Sequence, residues 1–252
     1  MTDISRRRVV VGAAWATPAI LVATSSPPAA ASGGAPATSA CSDADNGTAA
    51  VVTALGWEVK SGSVDAQYGT NGWTPAVAGD SMTITNDWMG IGTAEGFKSM
   101  DDNATTTTPA VLVARYAFTA VRGAVYTVDF TSKVQYGGGS NSSSRQSMVL
   151  TVDDAAGSST LTKLSIPHTS AYGGWRAMPP GNTSDAQMAE AGYDLQAHES
   201  SRARSVQVTG NGGQAVLTFT FTVEPIATGE ANPVSDDIWV SLPTVTQVAC
   251  AS

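Results

Sequence analysis

The sequence has 252 residues, 42% of them hydrophobic, and carries 13 Lys and Arg against 21 Asp and Glu, a formal net charge of −8. A chain this acidic, with no basic stripe, repels phosphate backbones, which excludes a nucleic-acid partner. Acidity favours solubility and cation binding but leaves the fold open.

The first residues carry an address. Arg6, Arg7 and Arg8 stand directly before an uncharged run from Val9 to Ala23, and the small-residue stretch Ala29-Ala30-Ala31 follows. A charged head, a short apolar body and a small-residue tail predict an export signal over residues 1–31. The apolar run is short and broken by Pro18, so it predicts no transmembrane segment. Ser5–Val10 resembles the twin-arginine leader, which implies export in the folded state; an ordinary signal with one extra arginine is the other reading. Cleavage after Ala31 removes Arg6, Arg7, Arg8 and Asp3, leaving 10 basic against 20 acidic residues, a net charge of −10. The expectation is an extracellular protein, secreted or held at the cell surface. Residues 32–44 read as a flexible lead-in and residues 45–252 as a single domain.

Alternation of period two dominates that domain. "AAVVTALGWEVK" and "SMTIT" are early strands, and "VLVARYAFTAV" follows. In "VYTVDFTSKV", Tyr126, Val128 and Phe130 point inward while Thr127, Asp129 and Thr131 point outward. Met148, Leu150 and Val152 form the inward set of the next strand. Between these two strands lies the Gly/Ser-rich tip of Val134–Gln146, a plain hairpin loop or, if it faces a ligand, one with Tyr136 and Arg145 as contacts. "TLTKLSI" and "SRARSVQVT" are further strands, and in "QAVLTFTFTVEP" Leu217, Phe219, Phe221 and Val223 alternate with threonines. The one helical candidate, Ser184–Leu195, has Ser184 as its cap and is interrupted by Gly192. Strands separated by Gly, Ser, Asn and Pro clusters predict an all-β fold, a single β-sandwich or jelly roll of about nine to ten strands.

Cys41 and Cys250 are the two cysteines and bracket the domain. In an oxidising compartment they read as a disulfide joining the two ends; two free thiols or half a metal site are the rival readings, and further ligands do not lie nearby.

The stretch "SDDIWVSLP", Ser235–Pro243, opens the last strand with two adjacent carboxylates. Together with "AVLTFTFTVEP" before it, "GWEVKSGSVDAQYGTNGW" near the start and "YTVDFTSKV" in the middle, it resembles the galactose-binding-like jelly rolls to which many secreted carbohydrate-binding modules belong. The resemblance implies a structural calcium, held by an acidic residue at the start of the last strand and by an early segment. The matching residues are Asp236 or Asp237, with Asp43 and Asp45 as the early candidates; oxygen ligands of this kind suit calcium. The other reading is that Asp236 and Asp237 solvate a strand end.

Catalysis has little support. Glycoside hydrolysis calls for two carboxyl groups about 5–10 Å apart. Glu58, Glu95, Glu190, Glu199, Glu224 and Glu230 sit in no recognisable motif, and the usual serine-hydrolase and zinc-protease signatures are missing. No catalytic residue is assigned. Sugar rings pack on exposed aromatic faces that have polar neighbours. Trp73, Trp88, Tyr172 and Trp175, with Arg176 adjacent, lie outside the strong strands and are the candidate glycan contacts; each is equally open to a core role. Trp239 alternates against Ile238 and Val240 and so leaves the main core face. The expected function is a non-catalytic module binding a glycan or other cell-envelope component. The alternatives are a structural or adhesive exoprotein without a sugar site and, behind it, a secreted glycoside hydrolase.

Overall fold

The computed structural model describes residues 41–61, 96–99, 109–136, 145–167, 183–197, 201–224 and 236–251. Within them the chain forms β1 (Thr53–Ser61), β2 (Gly96–Ser99), β3 (Ala110–Ala120), β4 (Ala124–Tyr136), β5 (Gln146–Asp154), β6 (Gly157–Ser165), α1 (Asp185–Glu190), β7 (Asp194–Leu195), β8 (Ser201–Thr209), β9 (Gly213–Val223), β10 (Asp236–Ser241) and β11 (Thr244–Cys250). One sheet has the order β1-β3-β9-β5-β6-β7, antiparallel except for the parallel pair β6–β7. In the other, β4 pairs with β8 on one edge and with β10 and β11, end to end, on the opposite edge; β2 adds to β10. This is the expected β-sandwich.

The alternating apolar residues make the core. Leu217, Phe219, Phe221 and Val223 from β9 meet Tyr126, Val128, Phe130 and Val134 from β4 across the two sheets, all buried. Phe219 stands edge-on to Phe130 at 5.3 Å between centroids, and Phe97 of β2 packs on Phe221 at 5.2 Å. Such tilted and edge-to-face contacts add to the burial of large rings. The expected strand "SMTIT" lies outside the described residues.

The predicted last strand is two strands. Pro243 offers no N–H to a ladder, and pairing with β4 stops at Val240↔Ser132 and resumes at Thr244↔Asp129. The backbone of Thr131 instead donates to Ser241 Oγ at 2.9 Å. Ser241 Oγ donates to the Leu242 carbonyl at 3.2 Å, and Thr244 Oγ1 donates to the Asp129 carbonyl at 3.3 Å. The Ser241 hydroxyl thus takes the place of the missing rung at Thr131.

Helix α1 is the short form of its prediction. Ser184 and Gln187 form a capping box, and Gly192 at φ +83° follows the helix end, a conformation that costs glycine little. The helix fastens one end of the six-stranded sheet. Arg145, 1% exposed, donates to Asp185 of α1 and to Ser165 Oγ, and pairs with Glu224 at 3.8 Å. Arg145 is therefore a buried brace and not the ligand contact that its place in the hairpin loop suggested.

The described ends of the domain meet. Cys41 and Cys250 are disulfide-bonded, as expected. Beside the bond, Gln247 Nε2 donates to the Ser42 carbonyl at 2.8 Å, and Gly47 N–H donates to the Gln247 carbonyl at 2.7 Å.

Candidate functional site

A depression of about 480 Å³ opens on the outer face of the five-stranded sheet, lined by Asp129, Thr131, Ser205, Ser241, Leu242 and Thr244 with Phe130, Ala203 and Arg204. Its floor follows from the alternation of β4. Tyr126, Val128 and Phe130 are drawn into the core, so Thr127, Asp129 and Thr131 stand on the outer face. The register then assembles rows across three strands. Asp129 lies opposite Ser205 of β8 on one side and Thr244 of β11 on the other. Thr127 lies between Gln207 and Thr246 in the same manner, and Thr131 lies opposite Ala203. Directly opposed side chains in such rows sit about 4.5–5.5 Å apart at Cβ. The break at Leu242–Pro243 forms the wall facing β8.

The floor is a hydroxyl lattice with one carboxylate at its centre. Asp129 is half-buried and has no side-chain partner among the described residues. The hydroxyl of Ser241 is committed to the strand break, whereas those of Thr131 and Ser205 face outward without a described partner. Arg204 borders the depression with its guanidinium turned away. Its Nε donates to Ser132 Oγ at 2.6 Å, and one terminal nitrogen donates to Asp194 Oδ2 at 2.9 Å and Gln196 Oε1 at 2.8 Å. Arg202 adds two bonds to the same carboxylate, at 2.8 and 2.9 Å. Burial alone would raise the Asp194 carboxyl; the bonds from Arg202 and Arg204 outweigh it and hold the group below its ordinary value. This network joins β7 of one sheet to β8 of the other and keeps the strand under the depression in place.

Such a surface can accept and donate hydrogen bonds to an uncharged polyol. A carboxylate accepts from two neighbouring hydroxyls at once, and flanking serine and threonine hydroxyls serve either role. The volume falls within the range of about 300–1,000 Å³ common for small-molecule sites. Asp129 is the one carboxylate among the described lining residues, so the two-carboxylate arrangement of glycoside hydrolysis is not formed by them.

The residues singled out in the sequence fall elsewhere. Trp73, Trp88, Tyr172, Trp175 and Arg176 lie outside the described residues. Asp43 and Asp45 flank a short 3-10 turn at the disulfide end, where Asp43 Oδ1 accepts from Asn46 Nδ2 and Cys250 N–H, both at 3.2 Å. Asp237 pairs with Gln135 near one end of the 13-residue β4, and Cys250 pairs with Ala124 at the other end. At about 3.3 Å per residue the two carboxylate groups are about 35 Å apart, so a single calcium held by both does not fit. Among the described residues no three His, Cys, Asp or Glu form a metal-ligand group. Asp237 is fully buried, so it is not the solvated strand start that was the other reading; the side chain of Asp236 is not among those described. Trp239 leaves the core face as expected and is still 3% exposed. Its indole lies against Gly96, where an added Cβ would stand 2.5 Å from the indole Nε1.

Sequence reasoning put Asp129, Thr127 and Thr131 on the outer face and stopped there. Period two assigns a face but does not say which strands lie alongside, and the row Ser205–Asp129–Thr244 is built from strands far apart in the chain.

No family model matches the sequence, and no curated protein is similar to it at a significant level. Among solved structures, the chain is similar to TmCBM61 in complex with beta-1,4-galactotriose, at 11% identity and a TM-score of 0.31, over 81% of this chain and 92% of that one. It is also similar to the enzymatically active domain of Bacteriophage CBA120 tailspike protein 4, at 10% identity and a TM-score of 0.26. That match takes in 61% of this chain and spans 18% of the tailspike chain.

Proposed function

We propose that the protein is an exported, non-catalytic module that holds a glycan of the cell envelope or an extracellular polysaccharide on the outer face of its five-stranded sheet. The observation that carries this reading is Asp129, a carboxylate without a described partner set between Ser205 and Thr244 on the floor of an open depression of about 480 Å³. Hydroxyl groups fixed on a rigid three-strand floor are pre-organised for the hydroxyls of a sugar, which lowers the ordering cost of binding. The arginine run and small-residue stretch of residues 1–31 support export. The Cys41–Cys250 disulfide suits an oxidising compartment.

Native gels cast with neutral polysaccharides, together with co-sedimentation on peptidoglycan, test the proposal. Retardation by one neutral glycan is expected. Asp129→Ala should weaken it by about 10- to 100-fold, since hydrogen bonds to a charged group contribute about 1.5–3 kcal/mol. The melting temperature should stay close to that of the native protein, because the carboxylate supports no described contact. Retardation that Asp129→Ala leaves intact would move the site off this sheet. No binding to any polymer would remove the glycan reading.

A further inference from the structure

The depression carries a charge as well as hydroxyls. Asp129 is the sole ionised group that its described lining presents to a ligand, because the guanidinium of Arg204 is turned to Ser132, Asp194 and Gln196. Lys133 shares the outer face but lies about 13 Å further along β4 and does not line the depression. No described cation is therefore placed to meet an acidic ligand there.

We infer that Asp129 is a selectivity residue that restricts the site to glycans without carboxylate or sulfate groups on the segment seated over β4. The inference rests on the glycan reading above and adds the class of ligand to it. A sugar hydroxyl meets Asp129 as a hydrogen-bond donor. A uronate in the same position brings a second negative charge against a carboxylate that has no neutralising partner among the described residues. At a separation of about 6 Å near a wet surface, such a like-charge pair weakens binding by about 3- to 10-fold. The effect is graded by salt, because exposed charges are screened over a length of about 10 Å at 0.1 M.

The experiment compares the native protein, Asp129→Asn and Glu190→Gln on gels cast with a neutral glucan or galactan, with polygalacturonate and with alginate, at low and at moderate salt. Asparagine keeps the size and much of the hydrogen-bonding capacity of the aspartate while removing its charge. Glu190 is exposed on α1, on the other sheet, and its variant makes the same change in net charge elsewhere. The expected result has three parts. The native protein is retarded by the neutral polymer and not by the acidic ones at low salt. Asp129→Asn weakens neutral binding, though less than Asp129→Ala does, and its ratio of acidic to neutral binding rises about 3- to 10-fold over that of the native protein. Glu190→Gln behaves as native. Native binding to alginate or polygalacturonate as tight as to the neutral polymer overturns the inference, as does an equal gain by Glu190→Gln, which would make the effect one of overall charge. Neutral binding with an Asp129→Asn variant still blind to acidic polymers refutes the selectivity role while the glycan reading stands. Retardation by no polymer defeats both.

Discussion

Cutting the Cys41–Cys250 bond should leave the fold in place and take away much of its margin. The disulfide closes a sequence separation of 209 residues. In the chain-entropy model, freeing a loop that long restores about 18 cal/mol/K to the unfolded chain, or about 5 kcal/mol at 25 °C. The folded state loses far less. The same corner is still held by the bonds from Gln247 Nε2 to Ser42, from Gly47 to Gln247 and from Cys250 N–H to Asp43. Cys41 packs against the buried cluster only as a partly buried neighbour, and the cluster itself, with Phe219, Phe130 and Tyr126 within it, contains neither cysteine. A Cys41→Ser, Cys250→Ser variant should therefore keep the far-ultraviolet and aromatic circular dichroism of the native protein. Its unfolding free energy in urea should fall by up to about 5 kcal/mol, and its melting temperature by about 10–20 °C, at about 2–4 °C per kcal/mol for a domain of this size. The urea slope should rise, because the uncrosslinked chain exposes more surface when unfolded. A fall below about 1 kcal/mol would refute the argument, since it would mean that the unfolded chain is not released by the cut. Loss of aromatic dichroism in the absence of urea would refute the claim that the core stands without the bond.

Other perturbations have defined outcomes. Gly96→Ala places a Cβ 2.3 Å from the Val240 carbonyl oxygen and 2.5 Å from the Trp239 indole nitrogen. It should lower stability by about 1–3 kcal/mol in urea titration, and an unchanged midpoint would show that β2 can shift freely on β10. Arg145→Met removes the described cation that pairs with both Asp185 and Glu224 and should cost about 3–5 kcal/mol by the same measurement; a variant as stable as native would show that the carboxylates reach water without it. For Asp194, a carboxyl held below its ordinary value of 3.8 contributes stability that is present in full above that value and is lost as pH falls through the lower folded value. Asp194→Asn should accordingly flatten the loss of melting temperature between about pH 5 and pH 2.5 relative to native. Parallel curves would remove Asp194 from the acid response.

Much of this architecture was legible because the strands are half-wet. In β9 the inward set Leu217, Phe219, Phe221 and Val223 is buried as the alternation required, and β8 spans the predicted "SRARSVQVT". The pattern failed where both faces of a strand are covered. From Asp237 to Val240 every residue of β10 is buried, so alternation there marked two environments that are both dry, and Asp237 read as a calcium ligand or a solvated strand start. The break at Pro243 had its residue in plain view. Its meaning depended on β4 running past it with Thr131 as the unpaired rung, which no local pattern encodes. The candidate site was hidden for the same reason: its central carboxylate is unremarkable in sequence and gains its neighbours only through pairing with strands more than seventy and a hundred residues away, about the span that makes contact order high.

The central strand β4 also sets an order of events for making the protein. One of its edges is filled by β8 and the other by β10 and β11, which follow every other strand in the sequence. During synthesis β4 emerges roughly a hundred residues before those two partners, so it waits with one row of backbone N–H and C=O groups open. A nascent or truncated chain ending before Asp236 would present that edge, backed by the apolar residues of an incomplete sandwich, to any strand nearby. The final two strands thus act as the closure that covers the open edge of β4 and turns an association-prone intermediate into a paired sheet.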